Sequence, residues 1–365
     1  MPKGIRIVSG RCLGLLLAPA ALLAAGCNLG EVTPMRMPVL EQARLRQKAL
    51  DFLHRAAGSD NAVVTSNAIE ALVEIDPDGS VRHFRAALGR SEQAMVRFAG
   101  CVALGEIGDC SAIERIRKRL KDTNAQVRLG AAFALFRCGE RRYGHVLRTA
   151  LREHSEENIR AAAAMLMGRL GEPPAVRELQ LAVDDDSTMV SMQAISSMAL
   201  LGDDESIDRL IQYAQGETVT RILALSTMVE LGDVRTVEAL RYRLRLQEPD
   251  EYLQHRLVAA RALGRLGMSD GYDLAIKALS FSPRNAPAEM TPQEVREEVT
   301  RVRSLAALAL GAIGDELALG PLGEIARTAN DSRLQIAACT AICHIVPDPM
   351  GPPRMRRGAM KVGRQ

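Results

Sequence analysis

VRFAGCVALGEIG (residues 96–108) and VRSLAALALGAIG (residues 302–314) share their first two residues, an alanine-rich middle and the ending Leu-Gly-x-Ile-Gly. Seven more segments fit the same frame, beginning at Val64, Val127, Ile159, Val190, Thr220, His255 and Leu334. Successive starts lie 32, 31, 32, 31, 30, 35, 47 and 32 residues apart. Counting each start as zero, the fourth following position is always Ala or Gly, from Ala68 and Gly100 through to Ala338. The eighth and eleventh positions are apolar, as in Leu104 and Ile107 or Leu310 and Ile313. Spacings of 4, 4 and 3 make one stripe on an α-helix, and a small residue within it lets a neighbouring backbone come close. The period therefore predicts nine helices stacked side by side.

Seven of the nine segments end in Gly at the twelfth position: Gly108, Gly139, Gly171, Gly202, Gly232, Gly267 and Gly314. A left-handed helix C-cap is easiest for a residue without Cβ. Asp109, Asp203, Asp233 and Asp315 follow directly as N-cap candidates, and Pro173-Pro174 can start a helix after Gly171. The stretches that follow, such as IERIRKRLKD (residues 113–122) and SIDRLIQYAQ (residues 206–215), are amphipathic at a helical period. The predicted unit is two antiparallel helices, and the predicted fold is an all-α solenoid of about nine such pairs.

These residues resemble HEAT repeats, in particular the short HEAT-like repeats of phycobilisome lyases, over roughly residues 39–346. The resemblance implies that each Val-Arg helix is the second of its pair and lines the concave side of a superhelix. It also implies a ladder in which the arginine pairs with an aspartate six residues earlier; Asp122 with Arg128 and Asp250 with Arg256 match. Arg97, Arg160, Arg221 and Arg303 lack that aspartate, and Ser191 and Gln335 stand where the arginine would be, so an irregular curvature is expected. In the family geometry positions two and six face the concavity. Phe98, Val102, Leu129, Phe133, Met165 and Met192 would then form an apolar ridge flanked by Glu106, Arg137 and Arg169, either a peptide groove or internal packing. The interval of 47 contains an insertion at residues 280–299, Pro-rich and then acidic and helical, expected on one edge as decoration or as a partner contact.

The N-terminus reads differently. Lys3, Arg6 and Arg11 precede CLGLLLAPAALLAA (residues 12–25), an apolar run too short to span a membrane and of the length of a signal-peptide core. It ends in Leu22-Leu23-Ala24-Ala25-Gly26-Cys27, which resembles a bacterial lipobox. That implies a signal at residues 1–26, diacylglyceryl transfer to Cys27 and a linker over residues 27–38; plain secretion and a cytoplasmic chain with an apolar start are the alternatives. Residue Asn28, rather than Asp, favours the outer membrane or periplasmic face.

Function is bounded mostly by exclusion. The chain has 365 residues, 47% of them hydrophobic and 3% aromatic with no Trp, leaving little material for stacking on bases or sugars. It has no GxxxxGK[ST], HExxH or GxSxG, and none of its six histidines precedes Glu, so the His-Glu iron motifs of deoxyhypusine hydroxylase, another HEAT-repeat protein, are missing. Asp76-Pro77-Asp78-Gly79 reads as a turn rather than a calcium loop, and Asp184–Asp186 as a solvated loop. Besides Cys12 and Cys27 there are five cysteines, an odd number without a CxxC, which indicates neither a disulfide framework nor a zinc knuckle. Cys339-x3-Cys343-His344 has metal-ligand spacing but reads as core. The formal charge of +3 belongs to the leader and to a basic, disordered-looking tail at residues 347–365, leaving the array at −4 and giving no case for nucleic acid. The run Arg115–Lys121 reads as a solvated outer face, with anionic lipid or glycan as its other use.

The expectation is thus a non-enzymatic, lipid-anchored scaffold of the bacterial envelope, binding an unidentified protein along its concave face without cofactor, metal or small-molecule substrate. A lyase-like or chaperone activity, by analogy with the phycobilisome proteins, and a structural part touching peptidoglycan or lipid are the alternatives.

Overall fold

The computed structural model of the chain describes residues 36–90, 92–216, 220–246, 253–283 and 290–348. The Cys27 lipidation site, Asp250 and the tail from residue 349 lie outside them. Among the described residues are eighteen α-helices and no strand, the nine helix pairs expected from the period. The first helices of the pairs are α1 (Val39–Ala56), α3 (Pro77–Ala87), α5 (Ile113–Arg119), α7 (Gly144–Glu153), α9 (Ala175–Gln180), α11 (Asp204–Gln215), α13 (Val237–Arg245), α15 (Tyr272–Ala278) and α17 (Leu319–Thr328). The second helices are α2 (Ala62–Ile75), α4 (Ala94–Ile107), α6 (Ala125–Arg137), α8 (Glu157–Arg169), α10 (Thr188–Leu200), α12 (Arg221–Leu231), α14 (Leu253–Arg265), α16 (Pro292–Ile313) and α18 (Ser332–Ile345).

Local chemistry sets the helix ends as the repeat requires. All seven twelfth-position glycines have positive φ, for instance 71° at Gly108 and 79° at Gly314, where any side chain would be strained. Asp109, Asp203, Asp233 and Asp315 each accept a backbone N–H two or three residues on, turning the chain into the next helix. α16 is longer than the other second helices because the acidic part of the insertion continues straight into it. It opens with Pro292 and a capping box between Thr291 and Glu294. The insertion therefore ends as extra turns of a core helix.

The small residues set the packing. At the fourth position a Cβ on Gly100 would lie 2.6 Å from the Cβ of Ala87 on α3. At the ninth position glycine recurs, and there neighbouring second helices touch by their backbones. A Cβ on Gly264 would come within 2.6 Å of the Ile313 nitrogen, and one on Gly311 within 2.6 Å of the Ala341 Cα. Gly105 faces Ala134 and Gly168 faces Ser197 in the same way. These four joints, α4–α6, α8–α10, α14–α16 and α16–α18, are the closest in the array, and the joints α6–α8 and α10–α12, with Phe136 and Ala199 at the ninth position, are the loosest.

The array does not stop as an open superhelix. α18 packs on α2 as other neighbouring second helices pack on each other, and α1 straddles the seam, touching α2, α17 and α18. Leu53 and Leu72 from the first pair share one buried core with Leu310 and Ile342 from the last two. Arg46, 7% exposed, donates from Nε to the Val346 carbonyl at 3.1 Å, and Gln42 donates to Glu316 at 3.3 Å. Nine pairs thus make one full turn, with the second helices as inner wall and the first helices as outer wall. The open concave groove expected from the sequence is replaced by a closed ring.

Candidate functional site: the charged mouth of the ring

Ring closure changes what the predicted site residues do. Val102, Leu129, Phe133 and Met192 are buried, Phe98 and Met165 half-buried. Phe98 on α4 lies over Gly130 of α6, and Phe133 on α6 lies over Gly105 of α4, so each ring fills the space a glycine leaves on the facing helix. The apolar ridge is internal packing between inner helices, not an exposed groove. Its charged flank differs. Arg137 is exposed and donates to the Gly105 carbonyl at 3.2 Å; Arg169 approaches Glu106 to 3.7 Å.

Glu106, Arg137 and Arg169 all occupy the tenth position of their repeats, near the C-terminal ends of inner helices. The same position supplies Glu74, Glu230, Arg265 and His344, with Leu200 and Ala312 completing the nine. The pairs reach past intervening helices: α4 reaches past α6 to α8 through Glu106 and Arg169, and α2 meets α14 through Glu74 and Arg265 at 2.6 Å. His344 comes within 3.7 Å of Glu74. Burial raises the Glu74 carboxyl, but attraction to His344, Arg265 and Arg261 outweighs it and holds its pKa down at about 2. Arg261, one turn earlier on α14, has its own pKa lowered by burial against the field of Glu74, Glu70 and Glu230. One mouth of the ring is therefore a belt of charges of both signs.

Glu74, Arg265 and His344 were not among the expected site residues. The signal that could have found them is the tenth column itself, charged or His in seven of nine repeats inside otherwise apolar helices.

The arginine ladder is present but runs forward. Arg97 grips Asp122 with two bonds of 2.8 Å, and Arg160 grips Asp185 likewise; in both the aspartate is 25 residues later, before the next inner helix. Arg128 instead donates to the carbonyls of Asp122 and Thr123, so the expected Asp122–Arg128 carboxylate pairing is absent. Arg256 bonds the Leu244 carbonyl at 3.2 Å. Arg97, Arg128 and Arg160 each fasten a loop carbonyl of their own pair and Arg256 one in the last turn of α13, while for Arg97 and Arg160 the aspartate reaches back from the following pair because stacking brings its turn beside the guanidinium. Asp185 is thus a structural anchor, not a solvated loop residue.

The cysteines also differ from expectation. Cys110 and Cys138, 28 residues apart, form a disulfide with Cα atoms 5.5 Å apart. Both sit at the turns leaving inner helices of adjacent repeats, so the period itself brings them together. Cys101, Cys339 and Cys343 are buried thiols. Burial pushes Cys101 and Cys339 up to about 12, keeping them protonated. Among the described residues no cluster of three His, Cys, Asp or Glu is placed to hold a metal. Asp76, in the expected turn, caps α3 and lies 3.0 Å from His54.

Two depressions lie among the described residues. One of about 880 Å³ lies at the opposite mouth, between the extra turns of α16 and the starts of α2 and α18, and includes Val63, Val295 and Arg333. Another of about 380 Å³ opens at the loose α6–α8 joint between Leu129, Val146 and Ile159. No helix among the described residues is long and apolar enough to cross a membrane.

This fold and its repeats define an α-solenoid of the HEAT class. A sequence profile of HEAT repeats matches residues 49–136 and 144–229, so the chain carries HEAT repeats over those residues. Among solved structures it is similar to human deoxyhypusine hydroxylase, at 18% identity over 75% of this chain and 98% of that one, with a TM-score of 0.36. It is also similar to the complex of CpcE and CpcF of phycocyanin lyase from a Nostoc species, at 17% identity over 70% and 93% with a TM-score of 0.41. Escherichia coli YibA is similar at 14% identity over 85% and 98%, with a TM-score of 0.32. No curated protein matches.

Proposed function

We propose that this protein is a non-enzymatic scaffold of a bacterial cell envelope, anchored by acyl chains on Cys27, that holds a protein partner at the charged mouth of its ring. The observation that carries the envelope assignment is the Cys110–Cys138 disulfide. Structural disulfides persist in oxidising compartments such as the periplasm and are rare in the cytosol. It agrees with the basic, apolar and Cys27-terminated start of the chain. The partner surface is the tenth-position belt, because the apolar ridge is consumed by packing and the belt presents exposed or half-exposed charge of both signs. Such a surface favours a protein of complementary charge pattern and sets its register more than its affinity.

Two measurements test this. The intact mass of the protein from native membranes is expected to begin at Cys27 and to carry acyl chains; a mass that retains the leader removes the anchor from the proposal. Crosslinking in membranes, followed by purification, is expected to recover one stoichiometric protein, lost when Arg137 and Arg169 are both changed to Glu. Recovery unaffected by that change places the partner elsewhere.

A further inference from the structure

The outer wall of the ring is electrically lopsided. Four consecutive outer helices, α1, α3, α5 and α7, carry twelve Lys/Arg against five Asp/Glu, whereas the other five carry seven of each. Within the basic half many charges are left over after local pairing. Arg85 is matched to Asp109, and Arg117 to Glu114 and Glu140. Lys48, Arg115, Lys118, Lys121 and Arg148 are exposed and, among the described residues, have no carboxylate within ion-pair distance. The acids of the opposite half, Asp204, Glu205 and Asp208 on α11, are exposed in turn. The array is net negative overall, so this is a separation of charge around the ring rather than a general basicity.

The same half receives the chain from its N-terminus. α1 starts at Val39, and its first two residues are apolar and open to solvent, Val39 at 81% and Leu40 at 64% exposure. Exposed apolar side chains beside a basic arc are the combination that seats a protein on a charged bilayer. The cations meet lipid phosphates, and the apolar pair enters the headgroup boundary.

We propose that the α1–α3–α5–α7 wall docks on an anionic lipid bilayer, fixing the ring edge-on so that both mouths stay open to the aqueous side. The proposal deepens the envelope reading but does not depend on acylation. A single tether would leave the ring free to tumble, whereas the wall gives it one orientation.

The test uses the full chain carrying Cys27→Ser, which cannot accept an acyl group, mixed with vesicles of phosphatidylcholine alone or with phosphatidylglycerol added. Partitioning is expected to be stronger on the anionic vesicles and to fall in 1 M salt, where screening acts within about 3 Å. The leader contributes equally to every variant, so the decisive comparison lies within the ring. Lys118→Glu, Lys121→Glu and Arg148→Glu together are expected to lower partitioning on anionic vesicles by at least about tenfold. The matching triple change on the other half, Arg177→Glu, Arg209→Glu and Lys277→Glu, is expected to leave it within about twofold. All six side chains are surface-exposed or nearly so, and circular dichroism checks that each variant folds. Equal loss in both triple variants, no loss in the first, or sedimentation with peptidoglycan sacculi without preference between vesicles overturns the proposal. Acylation failing while the first triple variant still loses binding would refute the anchor and leave the docking wall standing.

Discussion

Arg46 on the first helix donates to the carbonyl of Val346, just beyond the last, across 300 positions of sequence. The bond satisfies a carbonyl at the end of α18 and holds a guanidinium that is almost wholly buried at the seam. Arg46→Met is expected to destabilise the protein by about 1.5–3 kcal/mol, the range for a hydrogen bond to a charged group. Hydrogen exchange should accelerate first in α1 and α18 and leave α6 to α10 protected. Uniform acceleration would mean that the seam is not a separate unit of opening.

Glycine at the ninth position sets the tight joints. Gly311→Ala places a methyl 2.6 Å from the Ala341 Cα, and overpacking of this kind costs about 1–3 kcal/mol. Gly320→Ala on α17 meets nothing within 4 Å and is expected to be neutral or stabilising by up to about 1 kcal/mol, from helix propensity. Denaturant unfolding of the two variants checks the contrast.

The forward ladder predicts strong asymmetry between single and paired changes. Side chains of Arg97 and Asp122 are 6% and 3% exposed, so Asp122→Ala leaves a buried guanidinium without its carboxylate and should cost about 3–5 kcal/mol. Arg97→Met with Asp122→Leu is expected to recover much of that loss, since apolar pairs of similar volume often replace buried ion pairs without penalty. Thermal unfolding of the single and double variants reads the coupling.

Glu74 gives the ring a specific acid sensitivity. Its folded pKa, about 2, lies below its ordinary 4.5. The unfolded chain therefore binds the proton more readily, so the contribution is complete above about 4.5 and is lost as pH falls towards 2. Glu74→Gln is expected to flatten the dependence of stability on pH across that window and to lower stability at neutral pH only modestly, because the carboxylate is partly open to water. Urea unfolding at several pH values would expose an unchanged slope.

Much of the fold was legible because it is written nine times. One small residue at the fourth position, apolar ones at the eighth and eleventh and a glycine at the twelfth define a helix, its buried face and its end wherever they recur. The candidate site was legible only in part. Glu106, Arg137 and Arg169 were recognisable as charges beside the stripe, but they were read as the rim of an apolar groove that Phe98 and Phe133 in fact fill. The Cys110–Cys138 pairing was hidden because counting cysteines ignores the period that sets them side by side.

Periodicity is local information: hydrophobic spacing, caps and turn glycines act within about a dozen residues, and they suffice to specify nine helix pairs and their stacking order. Closure is a sum over all of them. The turn added at each joint accumulates over the nine pairs until Arg46 reaches Val346. No single repeat encodes that meeting. The meeting of Glu74 with Arg265 and His344 exists only once the ring has closed. Charges scattered at intervals of some thirty residues become neighbours only through the accumulated turn.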